Sequence, residues 1–147
     1  VGTGSGVLAI AAAKLGARSV LALDADPVAV HVARENIAAN GAAEIVDVRH
    51  GSLPGGDVVP MHFSLDGPLQ LLESGDHDLI LVNILAPVIA GMAPALSARL
   101  RSPGRLIAAG LIQDQETDVV AALQEQGLTV IRRSQEDDWV CLVVQKG

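Results

Sequence analysis

Three glycines at alternate positions, Gly2, Gly4 and Gly6, open the chain in "VGTGSGVLAI" and lead straight into an apolar stretch. At a strand-to-helix turn, such glycines let the backbone approach a ligand closely, and the helix N-terminus beyond adds partial positive charge. A triphosphate-binding loop needs Lys and then Ser or Thr after its last glycine. Here Val7 and Leu8 follow Gly6, which excludes that chemistry. A dinucleotide fingerprint spaces its glycines as G-x-G-x-x-G; here the third glycine comes one place early and Val7 fills its slot. Asp24, 22 positions beyond Gly2, ends an apolar run and offers a carboxylate to both hydroxyls of a ribose. Capping the next helix is the alternative role for Asp24, but Asp26 is better placed for it. Asn83 ends another apolar run, "DLILVN", where a buried polar group needs a partner, unless it merely starts the following helix.

These residues can act together only if alternating elements bring them to one edge. The pattern predicts a nearly apolar helix over 5–15, buried against a sheet and stopped by Gly16. A strand over 19–23 ends at "DADP", where Asp26 caps and Pro27 enters a helix reaching about residue 39. A strand over 44–49 follows. From 50 to 77 the pattern dissolves into Gly, Pro and Asp, with a short helix expected at 68–73; so long a connection is functional or mobile. The continuous apolar strand 78–83 suits a buried parallel sheet. Next come a helix over 87–100, bent or broken near Pro94, and a strand over 105–110 after the "SPG" turn. A helix over 116–126 precedes two strands, 128–134 and 139–145, that form a hairpin around "QEDD". The expected fold class is therefore α/β, an open and mostly parallel sheet with one antiparallel edge.

Composition narrows the function. The 147 residues allow one domain at most, and half of them are apolar. Phe63 and Trp139 are the only aromatics and the net charge is −7, so base-stacking platforms and phosphate-tracking surfaces are both disfavoured. An acidic surface suits a basic partner. Cys141, the only cysteine, excludes an internal disulfide and fits a reducing, cytoplasmic setting. The apolar stretch 79–96 is interrupted by Asn83, Pro87, Gly91 and Pro94, so a buried strand and helix explain it better than a membrane span. His31, His50, His62 and His77 show no metal-ligand spacing; His50 and His62 fall in the long loop, where surface or loop roles are expected.

A G-x-G-x-G turn resembles that of the S-adenosylmethionine-dependent methyltransferases. Together with "LDADP", "EN…NG", "NILAPVI", "GRLIAAGLI" and the late "DDWV", nearly the whole chain resembles one of their families. This is the family of bacterial enzymes that methylate ribosomal large-subunit protein eleven (PrmA type). "NILA" is its most specific element, because the broader glutamine and nucleic-acid amine methyltransferases usually carry Asn-Pro-Pro and an aromatic there. The resemblance implies a Rossmann-like class I methyltransferase sheet and S-adenosylmethionine as cofactor. It places Gly2, with Thr3 and Gly4 lining the loop, Asp24 at the ribose and Asn83 at the methionine end and the transfer pocket. Ser52 stands where such enzymes contact adenine, although Gly51 and backbone could serve alone. Two departures from the family are "AAG" at 108–110, in place of a more usual Ser-Gly pair, and a long 51–75 loop.

The implied reaction is in-line methyl transfer to a lysine or N-terminal amine of a ribosomal protein, with no direct nucleic-acid or membrane partner. Other acceptors remain open: a glutamine, a nucleic-acid base or a small molecule. So does a dinucleotide-binding oxidoreductase domain, or a cofactor-binding module without catalysis. Because the chain starts beside its first glycine, the resemblance also leads us to expect a fragment. The central strand before Gly2 and a substrate-recognition domain would then lie upstream, leaving two half-sheets with exposed edges and an unstable or inactive isolated chain.

Overall fold

The computed structural model describes residues 1–55, 70–71 and 75–147. They form two compact units, one built from 1–52 with 70–71 and the other from 53–55 with 75–147.

In the first unit, α1 (Val7–Lys14), β1 (Val20–Asp24), α2 (Pro27–Ala39), β2 (Val46–Ser52) and β3 (Gln70–Leu71) follow in order. The sheet runs β1-β2-β3 with both pairs parallel, and its register sets Asp24 beside His50. α2 starts as its sequence dictates: the Asp26 carboxylate accepts the Val28 N–H at 2.8 Å and Pro27 occupies the first turn. Val30, Ala33 and Ile37, at helical spacing, bury its inner face against Ala22, Val46 and Val48. α1 is less covered than its apolar sequence predicts. Only Ala9 and Ala13 are buried, and Val7 and Leu15 remain exposed, because β1, on which α1 packs, is the outermost strand of this sheet.

The second unit contains β4 (His77–Asn83), α3 (Ala86–Arg99), β5 (Leu100–Ile112), α4 (Glu116–Glu125), β6 (Leu128–Glu136) and β7 (Trp139–Lys146). Strand order is β4-β5-β7-β6, with β4 and β5 parallel and the other pairs antiparallel. The predicted hairpin is present, and its second strand is the one that pairs with β5. Leu106, Ala108, Leu142 and Val144 fill the sheet, while Ile89, Met92 and Leu96 of α3 and Val119 and Leu123 of α4 are fully buried. On the surface, Arg133 of β6 makes a two-pronged ion pair with Glu116 of α4 at 2.7 and 2.9 Å. That contact holds the Glu116 carboxyl below its ordinary range.

Several boundaries differ from expectation. β2 continues past Arg49 to Ser52, because β1 and β3 supply ladder partners as far as His50 and Ser52. Of the helix expected at 68–73, the described residues Gln70–Leu71 are instead a strand; the others lie outside the described residues, as do Phe63 and His62. α3 is continuous through Pro94. β5 starts at Leu100, which pairs with His77, so the "SPG" turn falls within the span of the strand. Among the described residues, no helix is long and apolar enough to cross a membrane.

Candidate functional site

The glycine loop is held from below by β1. Thr3 N–H donates to the Leu23 carbonyl at 2.9 Å and Gly6 N–H to the Thr3 carbonyl at 2.8 Å. Gly2, Gly4 and Gly6 all take positive φ, at 67°, 54° and 86°, a region costly for other L-residues. The glycines nevertheless do different work. A Cβ on Gly4 would meet nothing within 4 Å, so space is open there for a ligand. A Cβ on Gly6 would touch the backbone and side chain of Ala33 and the tip of Ile37, each at 3.4 Å. Although the third glycine comes one place early, it still permits close packing, here of the loop against α2.

Asp24, half-buried at the carboxyl end of β1, ties this loop down. Its Oδ2 accepts the Gly4 N–H at 2.8 Å and its Oδ1 accepts the Asp26 N–H at 3.0 Å. Each carboxylate oxygen keeps a lone pair for a further donor, so a sugar hydroxyl can be bound without losing either bond.

Two supports escaped the sequence pattern. Asn36 of α2 donates its side-chain N–H to the Ser5 carbonyl at 2.9 Å, a second anchor for the loop. His50, expected in a loop, is a buried strand residue whose Nε2 lies 3.0 Å from the Ala25 carbonyl. Because a carbonyl only accepts, Nε2 carries the proton and holds the turn after Asp24. The apolar-polar alternation of Val46, Asp47, Val48 and Arg49, which puts position 50 on the inner face, was the one available signal, and Gly51 obscured it. Ser52 ends β2 two residues past His50 and is buried. The first unit thus gathers Gly2, Thr3, Gly4 and Asp24 into one loop-and-strand corner, with Ser52 at the same end of the sheet.

Asn83 belongs to the second unit. It ends β4, pairs in register with Ala109 of β5, and exposes its side chain. It does not start the next helix, because Leu85 is the N-cap of α3 and provides no side-chain bond. Among the described residues, none hydrogen-bonds the Asn83 carboxamide, which leaves its donor and acceptor available to a ligand. Across from it, Gly110 packs tightly: a Cβ there would lie 2.6 Å from Asn83 Oδ1.

S-adenosylmethionine presents a ribose diol, an amino-acid tail and a cationic sulfur. A carboxylate with spare lone pairs and a glycine turn with free space above it fit that set of groups. The α/β fold and this corner define the class I S-adenosylmethionine-dependent methyltransferases. The chain belongs to the family described as ribosomal protein L11 methyltransferase (PrmA), whose model matches residues 1–147. It is 44% identical over 151 residues to the ribosomal protein L11 methyltransferase of Chloroflexus aurantiacus, covering 97% of this chain and 46% of that one. The crystal structure of the ribosomal protein L11 methylase from Lactobacillus delbrueckii subsp. bulgaricus is similar, with 33% identity and a TM-score of 0.80. The match covers 99% of this chain and 68% of that one. An S-adenosylmethionine-dependent O-methyltransferase of Thermotoga maritima shares the fold, with a TM-score of 0.74 at 15% identity over 99% of this chain and 57% of the other. The chain spans less than half the length of the curated relatives it matches.

Proposed function

We propose that this chain is the methyl-transferring domain of an enzyme that methylates amino groups of a ribosomal protein, on lysine side chains, the N-terminal amine or both. The observation that carries this function is the corner at β1, where an open glycine turn is bonded to a strand-end carboxylate at 2.8 Å. The names of its relatives supply the acceptor. In this assignment Gly2, Thr3 and Gly4 receive the amino-acid tail, Asp24 the ribose hydroxyls, Ser52 the adenine side, and Asn83 the methionine end beside the acceptor.

The bound cofactor supplies an electrophilic methyl on a sulfonium. What the chain must do is hold, orient and exclude water. A lysine amine at ~10.4 must first be deprotonated, which costs roughly 4–5 kcal/mol at pH 7, against about 1 kcal/mol for an α-amino group. Burial of the acceptor lowers either cost, because a low dielectric disfavours the cation. No strong base is therefore needed, and the Asn83 carbonyl oxygen is suited to orient an amine N–H by accepting from it.

The test uses the full-length protein, labelled S-adenosylmethionine and a ribosomal extract from cells that lack the enzyme. One labelled ribosomal protein, with its sites located on lysine or the N-terminus by mass spectrometry, is the expected result. Label in RNA, on glutamine or in small molecules would overturn the acceptor assignment. Retention of cofactor with no transfer to any acceptor would make this a binding module.

A further inference from the structure

We infer that Gly110 is a positioning residue for Asn83: the bulge in β5 that carries it sets where the Asn83 carboxamide points. This rests on the role proposed above for Asn83. Between Ala108 and Leu111, β5 spends three steps while its partner β7 spends two, from Leu142 to Val140. One residue is therefore extra, and Gly110, with φ 78°, takes the left-handed conformation that such bulges assign to glycine. On its other side β5 keeps register with β4 through the Asn83–Ala109 pair, so the bulge turns the chain just after the residue opposite Asn83. Bulges of this kind re-aim side chains next to active sites.

The fit at this point is close. A Cβ on Gly110 would lie 2.6 Å from Asn83 Oδ1, 2.9 Å from the Ile84 carbonyl oxygen and 3.2 Å from the Ile84 nitrogen. The Ile84 atoms are backbone and yield little, whereas Oδ1 ends a rotatable side chain. A methyl group at 110 therefore presses on both: the carboxamide must retreat by about 0.8 Å to reach ordinary contact at 3.4 Å, and the Ile84 backbone that directly follows Asn83 must give by a few tenths of an ångström. In the native chain no Cβ stands there, and the bare glycine leaves the space beside Ile84 in which Asn83 Oδ1 sits; a side chain at 110 would take that space away. A cofactor-orienting or amine-orienting group displaced by this distance loses roughly ten- to a hundredfold in rate.

The test compares four variants of the full-length protein: Gly110→Ala, Asn83→Ala, the double variant and Gly127→Ala. Single-turnover methyl transfer, S-adenosylhomocysteine affinity and thermal stability are measured on each. Gly127 also has positive φ, 75°, but a Cβ there would meet nothing within 4 Å, so it reproduces the backbone strain without the contact. The expected pattern is a ten- to a hundredfold loss of transfer in G110A, on the scale of a sub-ångström misplacement. A comparable loss is expected in N83A, with no further loss in the double variant. G127A melts earlier yet transfers normally. If G110A does not fold, Gly110→Asn carries the same steric test, since asparagine tolerates positive φ better. Normal transfer in G110A, or losses that multiply in the double variant, overturns the inference while leaving Asn83 in place. A silent N83A overturns both the inference and the role of Asn83.

Discussion

The two units hold their functional residues by different means. At the glycine corner, placement is electrostatic and redundant: Asp24 accepts two backbone N–H groups, and Asn36 and His50 anchor the segments on either side. At the end of β4, placement depends on space, because Asn83 has no hydrogen-bond partner among the described residues and its Oδ1 sits where any side chain at Gly110 would intrude. The lesson concerns what each mutation should disturb. Removing Asp24 should damage the loop and the ligand together, whereas removing Asn83 should damage chemistry and leave the fold alone.

The largest effect is therefore expected for Asp24→Ala, which deletes the proposed ribose acceptor and both backbone bonds. Hydrogen bonds to a charged group are worth about 1.5–3 kcal/mol each. Titration calorimetry with S-adenosylhomocysteine on the full-length protein should show affinity falling by about a hundredfold or more. Wild-type affinity would remove Asp24 from the cofactor site. Asn83→Ala should reduce turnover by roughly ten- to a hundredfold, with a melting temperature close to wild type. A cooperative loss of stability instead would erase the contrast between the units. Gly6→Ala tests the corner without touching the ligand space: positive φ costs roughly 1–2 kcal/mol, while the added methyl only reaches ordinary contact with Ala33 and Ile37 at 3.4 Å. Chemical denaturation would read the shift, and an unchanged midpoint would mean that the loop does not need its left-handed form.

The smallest effect belongs to the exposed Glu116–Arg133 pair. Its arginine partner keeps the Glu116 carboxyl below 4.5, so the pair contributes fully above the ordinary carboxylate range and is lost as pH falls through the lowered value. Melts of Glu116→Gln and wild type should differ slightly at neutral pH and low salt, and converge in acid and at high salt. A gap that widens in acid would contradict the ion-pair account.

Local chemistry explains what was legible in the sequence. The glycine turn, the stop at Gly16, the Asp26 cap with Pro27 and the closing hairpin all depend on residues a few positions apart. The features that were missed depend on distant partners. β2 runs on to Ser52 because β1 and β3 pair with it there. β5 begins at Leu100 because His77 meets it, although "SPG" taken alone signals a turn. Asp24 could be picked out by its distance from Gly2, but its bond to Gly4 N–H could not. The closeness of Gly110 to Asn83, 27 positions apart, depends on a bulge that no spacing rule announces.

The strand order β4-β5-β7-β6 also bears on how this unit is born. Among the described residues β6 pairs only with β7, so although it is made earlier it has no described partner in the sheet until residues 139–146 arrive to sit beside β5. During synthesis, then, only the β4-α3-β5 portion can settle early, while β6 waits as an unsatisfied hydrogen-bonding edge. A nascent chain stalled short of Trp139 should be sensitive to protease and bound by chaperones, and release of the last strand should end that vulnerability in one step.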